Sequence, residues 1–213
     1  MAAEHYLLKM HKSSGLPVPD LMNVAVQSLG LCDVGDFNPK DKVLGMPKVD
    51  GDLANRITFD FVDEVSRDSP APGGGSVAAL SGALGAALGT MVANLSTSKA
   101  GFEDQKKRLN KISSKGQAVK DALIKAIDDD TSAFDQVIKA MRMPKDTDAD
   151  KKSRETAMQE GYQIATQVPL ETVEHCRDAL QICSEISKLM DDGMASDVGS
   201  GPLMANAGAK AAA

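Results

Sequence analysis

Between Asp68 and Lys99 the chain carries no charged side chain. The run opens Ser69-Pro70-Ala71-Pro72-Gly73-Gly74-Gly75, and its two prolines and three glycines predict a loop. From Ser76 onward Ala, Gly, Val, Leu and Met predominate, which reads as helix. Ser76 is the natural N-cap, and the glycines ahead of it leave backbone N–H groups open to an anion or a carbonyl. The segment is therefore expected to be a buried central helix with a ligand-binding turn at its head. Gly82, Ala86 and Gly89 fall on one face, and Ala78 and Gly85 on the next. Small residues at this spacing let another helix approach closely. The run is long enough to cross a membrane, but its Ala, Gly, Ser and Thr drive insertion only weakly. Mean hydropathy over the chain is −0.21, and no membrane partner is expected.

The flanking sequence predicts further helices. Residues 2–12 read as a short helix, and Pro19 begins a second that Gly30 stops. Residues 31–56 look irregular and carry the expected boundary: 1–50 as a small front segment with its linker, 55–213 as the main domain. Thr58 caps a helix through Phe61, Val62 and Val65 to Arg67. Beyond Lys99, apolar residues from Leu109 through Val119, Leu123 and Ile127 to Met141 step by three or four, which predicts one long helix ended by Met143-Pro144. A helix from about Asp148 to Thr166 is expected to break at Pro169. Another then carries Leu170, Cys176, Cys183 and Met190, and Ser196-Asp197 opens the last. No β alternation appears. The fold class is all-α: an up-and-down bundle of about five long helices with small N-terminal helices.

Aromatic residues make up only 3% of the 213 residues and Trp is absent, so Ala, Val, Leu, Ile and Met must build the core. The net charge of −6 argues against a nucleic-acid partner. Cys32, Cys176 and Cys183 form no CxxC pair, which suits reduced thiols in the cytoplasm, and no secretory leader is seen. His5, His11 and His175 make no zinc-binding pattern, so no metal is expected.

Asp130 is the anomaly. It occupies the apolar stripe between Ile127 and Phe134, where an aliphatic residue belongs. A carboxylate there is costly unless paired, hydrogen-bonded or protonated. Burial and the neighbouring Asp128 and Asp129 favour the neutral acid, so Asp130 is a candidate proton donor. The alternative is a place at a groove edge or at the cap of another helix. Asp197 is most simply an N-cap, with a site role as the second option. Gly73, Gly74, Gly75 and Ser76 lack the lysine of a P-loop, so nucleotide binding is not implied. Lys99, Lys106, Lys107 and Arg108 gather beyond the far end of the central helix, where cations are favoured. They form a solvated face or meet an acidic tail on a ligand.

The stretch from Ser69 to Ala79, with Gly82 to Leu88, Ile127 to Asp130, Ala133-Phe134, Met141 to Lys145, Val168-Pro169-Leu170 and Ser196-Asp197, resembles the formiminotransferase-cyclodeaminase family. The likeness is to the C-terminal cyclodeaminase or methenyltetrahydrofolate cyclohydrolase domain. Leu29-Gly30-Leu31 and Phe37 to Lys40 look like the tail of the formiminotransferase part. The resemblance implies a helical bundle that assembles as a homodimer or larger homo-oligomer and binds a reduced folate, with or without a polyglutamate tail, needing no cofactor. The implied reaction is cyclisation of 5-formiminotetrahydrofolate to 5,10-methenyltetrahydrofolate with release of ammonia. Asp130, or Asp128 as the second option, would supply the proton. The glycine turn would hold the pterin or the reacting centre, and Lys99 would meet the tail. Cyclohydrolase activity, or a non-catalytic assembly module, is the alternative. The resemblance also implies a segment beyond Ala213, so a C-terminally shortened chain is expected.

Overall fold

The computed structural model describes residues 2–10, 12–33, 35–43, 58–190 and 192–213. Four long helices form the bundle: α5 (Gly74–Thr97), α6 (Lys106–Met141), α7 (Asp148–Ile186) and α8 (Ala195–Ala212). Ahead of them stand α1 (Ala2–Lys9), α2 (Val18–Ser28), α3 (Pro39–Lys42) and α4 (Thr58–Val65). The expected boundary falls partly on residues 44–57, outside the described residues. Thr58 is itself helical, and the residue before it is likewise outside them.

Small residues on α5 set the packing. Gly82 lies against Cys176 and Leu123, Gly89 against Ile182 and Cys183, and Gly116 of α6 against Thr90. Gly85 meets the backbone of Gly201 and Ala205, and Gly208 meets that of Ala78. These pairings fix direction: α6 and α8 run antiparallel to α5, and α7 runs parallel to it. The result is up-down-up-down, and Ala86, Val92, Leu109, Leu123, Cys176, Ala179, Ile182 and Ile186 form its core. By length and composition alone α5 could cross a membrane, yet 61% of its apolar window is buried inside the bundle.

Gly85 gives a clean stability test. A methyl there would sit 2.6 Å from the Gly201 carbonyl and 2.8 Å from the Ala205 nitrogen, both backbone atoms that cannot swing aside. Gly85→Ala should cost about 1–3 kcal/mol, several degrees of Tm in a chain this long. At Gly199 in α8 an added methyl meets nothing, so Gly199→Ala should raise Tm. Thermal unfolding of the two variants checks both signs.

Three expectations are corrected. The break at Pro169 is absent, because α7 runs through it to Ile186. The lost N–H and ring clash cost about 3 kcal/mol, which burial on both sides outweighs: Gly161 against Val137 before it, and Thr172, Cys176 and Ala179 after it. Helix α5 begins at Gly74 with Gly73 as N-cap, so Ser76 lies inside the first turn and caps nothing. Helix α8 begins at Ala195 after Met194, so Asp197 lies in its first turn rather than at the cap.

The front segment docks on the bundle. Ser13, Ser14 and Gly15 are buried. The Ser14 N–H donates to Asn110 Oδ1 at 2.9 Å, Asn94 Nδ2 donates to the Gly15 carbonyl at 2.7 Å, and the Ser13 hydroxyl donates to Asn94 Oδ1.

Candidate functional site

The head of α5 is where chemistry-bearing groups converge. Gly73 is extended and no side chain caps the helix, so the first-turn N–H groups lack the partners a capped helix would give them. Phe61 of α4 packs here with Ala79, Ala126 and Ile127, tying α4 to the base of the turn.

Asp130 reaches this point from α6. The Ser76 hydroxyl, fully buried, lies 2.9 Å from Asp130 Oδ2 and 3.1 Å from the Ile127 carbonyl, and can donate to either. A serine hydroxyl has one proton and two lone pairs. Whichever acceptor it serves, Asp130 stands beside an oxygen able to give or take a proton. Thr131 Oγ1 lies 3.4 Å from Ser76 Oγ and extends the chain of hydroxyls. Gly75 makes the approach possible, since a Cβ there would lie 2.1 Å from Asp130 Oδ1. Asp130 is half-buried rather than sealed in the core. Its helix stripe passes beyond the end of α5 here, so the carboxyl meets a helix terminus instead of a packed face. The positive end of a helix is a favourable place for negative charge.

The structure brings Gly73, Gly74, Gly75, Ser76 and Asp130 to one end of the bundle. Asp128 is two residues from Asp130, a rotation of about 200°, which leaves it on the far side of α6. Asp129 forms an ion pair with Lys125 at 2.5 Å. Lys99 follows the other end of α5, about 36 Å from its head. Asp197 lies towards that same end, because Gly201, one turn along α8, sits against Gly85 and Leu88. Sequence reading missed Thr131, which stands outside the apolar stripe. It also missed the exposure of Phe134, one turn beyond Asp130 on the same face and 38% exposed.

Two other places gather charged or nucleophilic side chains. A cavity of about 430 Å³ lies by the start of α6, lined by Lys12, Lys106, Lys107, Lys111 and Asn110 among others. Its ammonium groups attract anions, but no carboxylate lines it to move a proton. Burial pushes the Cys176 and Cys183 thiols up to about 11, so they remain neutral packing groups. Among the described residues no group of three or more His, Cys, Asp or Glu comes together to hold a metal ion.

Residues 58–213 match the sequence model of the formiminotransferase-cyclodeaminase family. The chain is 37% identical over 159 residues to a methenyltetrahydrofolate cyclohydrolase of Methylorubrum extorquens, covering 75% of this chain and 76% of that protein. It is 35% identical to the formimidoyltransferase-cyclodeaminase of Gallus gallus, covering 79% of this chain and 32% of that protein, so the chain spans about a third of that relative. Its fold resembles a crystal structure of formiminotetrahydrofolate cyclodeaminase from Thermotoga maritima, with a TM-score of 0.66, 24% identity and coverage of 75% and 76% of the two chains.

Proposed function

We propose, from the fact that this chain belongs to the formiminotransferase-cyclodeaminase family, that it is a folate enzyme working on the one-carbon unit between N5 and N10. The reaction we assign is cyclisation of 5-formiminotetrahydrofolate. N10 attacks the formimino carbon and a new C–N bond forms. The original C–N bond then breaks and ammonia leaves, giving the 5,10-methenyl cation. With the formimino group entering as its amidinium cation, the proton lost by N10 is the one the departing NH2 needs to leave as ammonia, so a single carboxylate can carry it across without net consumption. Asp130, hydrogen-bonded to Ser76 at the open head of α5, suits that task. This pair of side chains is the observation that supports the reading. First-turn N–H groups of α5 would hold the reacting end, and exposed Phe134 would offer a ring face to the pterin.

Relatives that carry the name formimidoyltransferase-cyclodeaminase, at 36% and 35% identity, support the cyclodeaminase reading. The second reading, hydrolysis of 5,10-methenyltetrahydrofolate, is favoured by the likeness in length and sequence to the Methylorubrum protein. There the same carboxylate would take a proton from the attacking water.

One assay separates them. With 5-formiminotetrahydrofolate, a cyclodeaminase yields ammonia and methenyl absorbance in equal amounts. A cyclohydrolase instead accelerates the loss of methenyl absorbance and makes no ammonia. A protein that does neither, and shows no saturable binding of tetrahydrofolate, is an assembly module and not an enzyme.

A further inference from the structure

The far end of the bundle holds a cavity that the folate reading leaves unused. It measures about 430 Å³, within the range of sites that take a small metabolite. Four ammonium groups surround it: Lys106, Lys107 and Lys111 from the first two turns of α6, and Lys12 from the front segment. Among the described residues none of the four forms an ion pair, and no carboxylate lines the cavity. Further along α6 the lysines do find partners: Lys115 pairs with Asp178, Lys120 with Asp121 and Lys125 with Asp129. The chain carries a net charge of −6, so acids are not scarce. They are kept away from this one place.

Helix ends do not supply the missing charge. Thr97 brings the carbonyl end of α5 to the cavity, and such an end is worth about half a negative charge. The positive end of α6, which starts at Lys106 with no acidic residue in its first turn, cancels it. Four like charges remain around one space and repel one another. Asn110 adds an independent sign. It is only 8% exposed, and its Oδ1 accepts from the Ser14 N–H at 2.9 Å and the Ser14 hydroxyl at 3.3 Å. The backbone donor fixes which end of the amide is oxygen. The two Nδ2 hydrogens have no acceptor among the described residues, and the cavity that Asn110 lines is the space left for one.

We infer that this cavity binds a small metabolite carrying two phosphoryl groups, which the four lysines neutralise while Asn110 donates to a phosphate oxygen. Lysine meets phosphate as a point charge from any direction, whereas a planar carboxylate favours the fork of an arginine, and no arginine lines the cavity. A single phosphate brings at most about two negative charges, half of what four ammonium groups call for. No aromatic side chain is present to stack a base, so the organic part is a short sugar or alkyl chain lying against Leu8. The ligand would also act as a clasp. Leu8, Lys12 and Ser14 belong to the front segment and the other lining residues to the bundle, so binding tightens one on the other. The site lies about a helix-length from Asp130 and does not depend on the folate reading.

Isothermal titration calorimetry in phosphate-free buffer tests it, with pyrophosphate and fructose 1,6-bisphosphate as probes. At least one should bind saturably at one equivalent per chain, and which one does separates a free diphosphate from an organic bisphosphate. Lys12→Gln/Lys107→Gln/Lys111→Gln should weaken binding about tenfold for each ammonium group removed. Its Tm should equal or exceed that of the native protein, because the three side chains are exposed and their repulsion is relieved. Asn110→Asp keeps an acceptor for Ser14 and brings a carboxylate among the lysines, so it should abolish binding without lowering Tm. The bound probe should also slow amide hydrogen exchange at Ser14 and Gly15, whose N–H groups bond to Asn110 and Ser13. The absence of saturable binding for both probes would overturn the proposal, as would undiminished affinity in the lysine variant. Equal affinity for citrate would show a site for anions in general. Displacement of the probe by poly-γ-glutamate would give the cavity to the acidic tail of a ligand. Either result also overturns the assignment. Asp130→Asn should bind the probes as the native protein does, and a protein that binds them but turns over no folate would sink the functional reading alone.

Discussion

Asp130→Asn is expected to lower turnover by about a hundredfold or more, the usual scale for losing a general acid–base group, with no change in Tm. Asn has the same shape, and its side-chain oxygen can still accept the Ser76 hydroxyl that reaches Asp130 at 2.9 Å. The half-buried position spares it the cost of a sealed core. It cannot carry a proton between N10 and the departing nitrogen. Steady-state kinetics beside thermal unfolding separates chemistry from folding. Full activity in this variant would move the chemistry elsewhere.

Gly75→Ala should be nearly as damaging to turnover while sparing stability. The added methyl would lie 2.1, 2.5 and 2.8 Å from Asp130 Oδ1, Cγ and Oδ2. The obstruction is the end of a flexible side chain, so the carboxyl swings away and the backbone stays. Ala in place of Gly favours a helix by up to about 1 kcal/mol. A reacting group displaced by about an ångström costs roughly a hundredfold. The expected signature is a Tm equal to or above that of the native protein with kcat sharply reduced. An unaltered kcat would mean that the position of the carboxyl does not matter. The contrast with Gly85 is instructive, because there the same substitution meets backbone and costs stability instead.

Asp130 was legible because a carboxylate in an apolar stripe is conspicuous, and its partner was legible as the residue closing a glycine turn. The nature of their meeting was not. Two of the three glycines read as loop belong to the helix, which moves Ser76 from the cap into the first turn and turns its hydroxyl towards α6. Pro169 misled for a different reason: local propensity predicts a break, and burial on both flanks overrides it. Lys99 and Asp197 were candidates for the same site on residue type alone. The place of Lys99 past the far end of the central helix is legible from chain order, whereas the place of Asp197 beside α5 depends on the antiparallel packing of α8, of which the sequence carries no sign.

The most direct measurement is a crystal structure of the protein with tetrahydrofolate bound. N5 and N10 should lie within hydrogen-bond reach of Asp130 at the head of α5, with the pterin against Phe134. A folate lodged in the lysine-lined cavity by the start of α6, with Asp130 facing only water, would contradict the assignment.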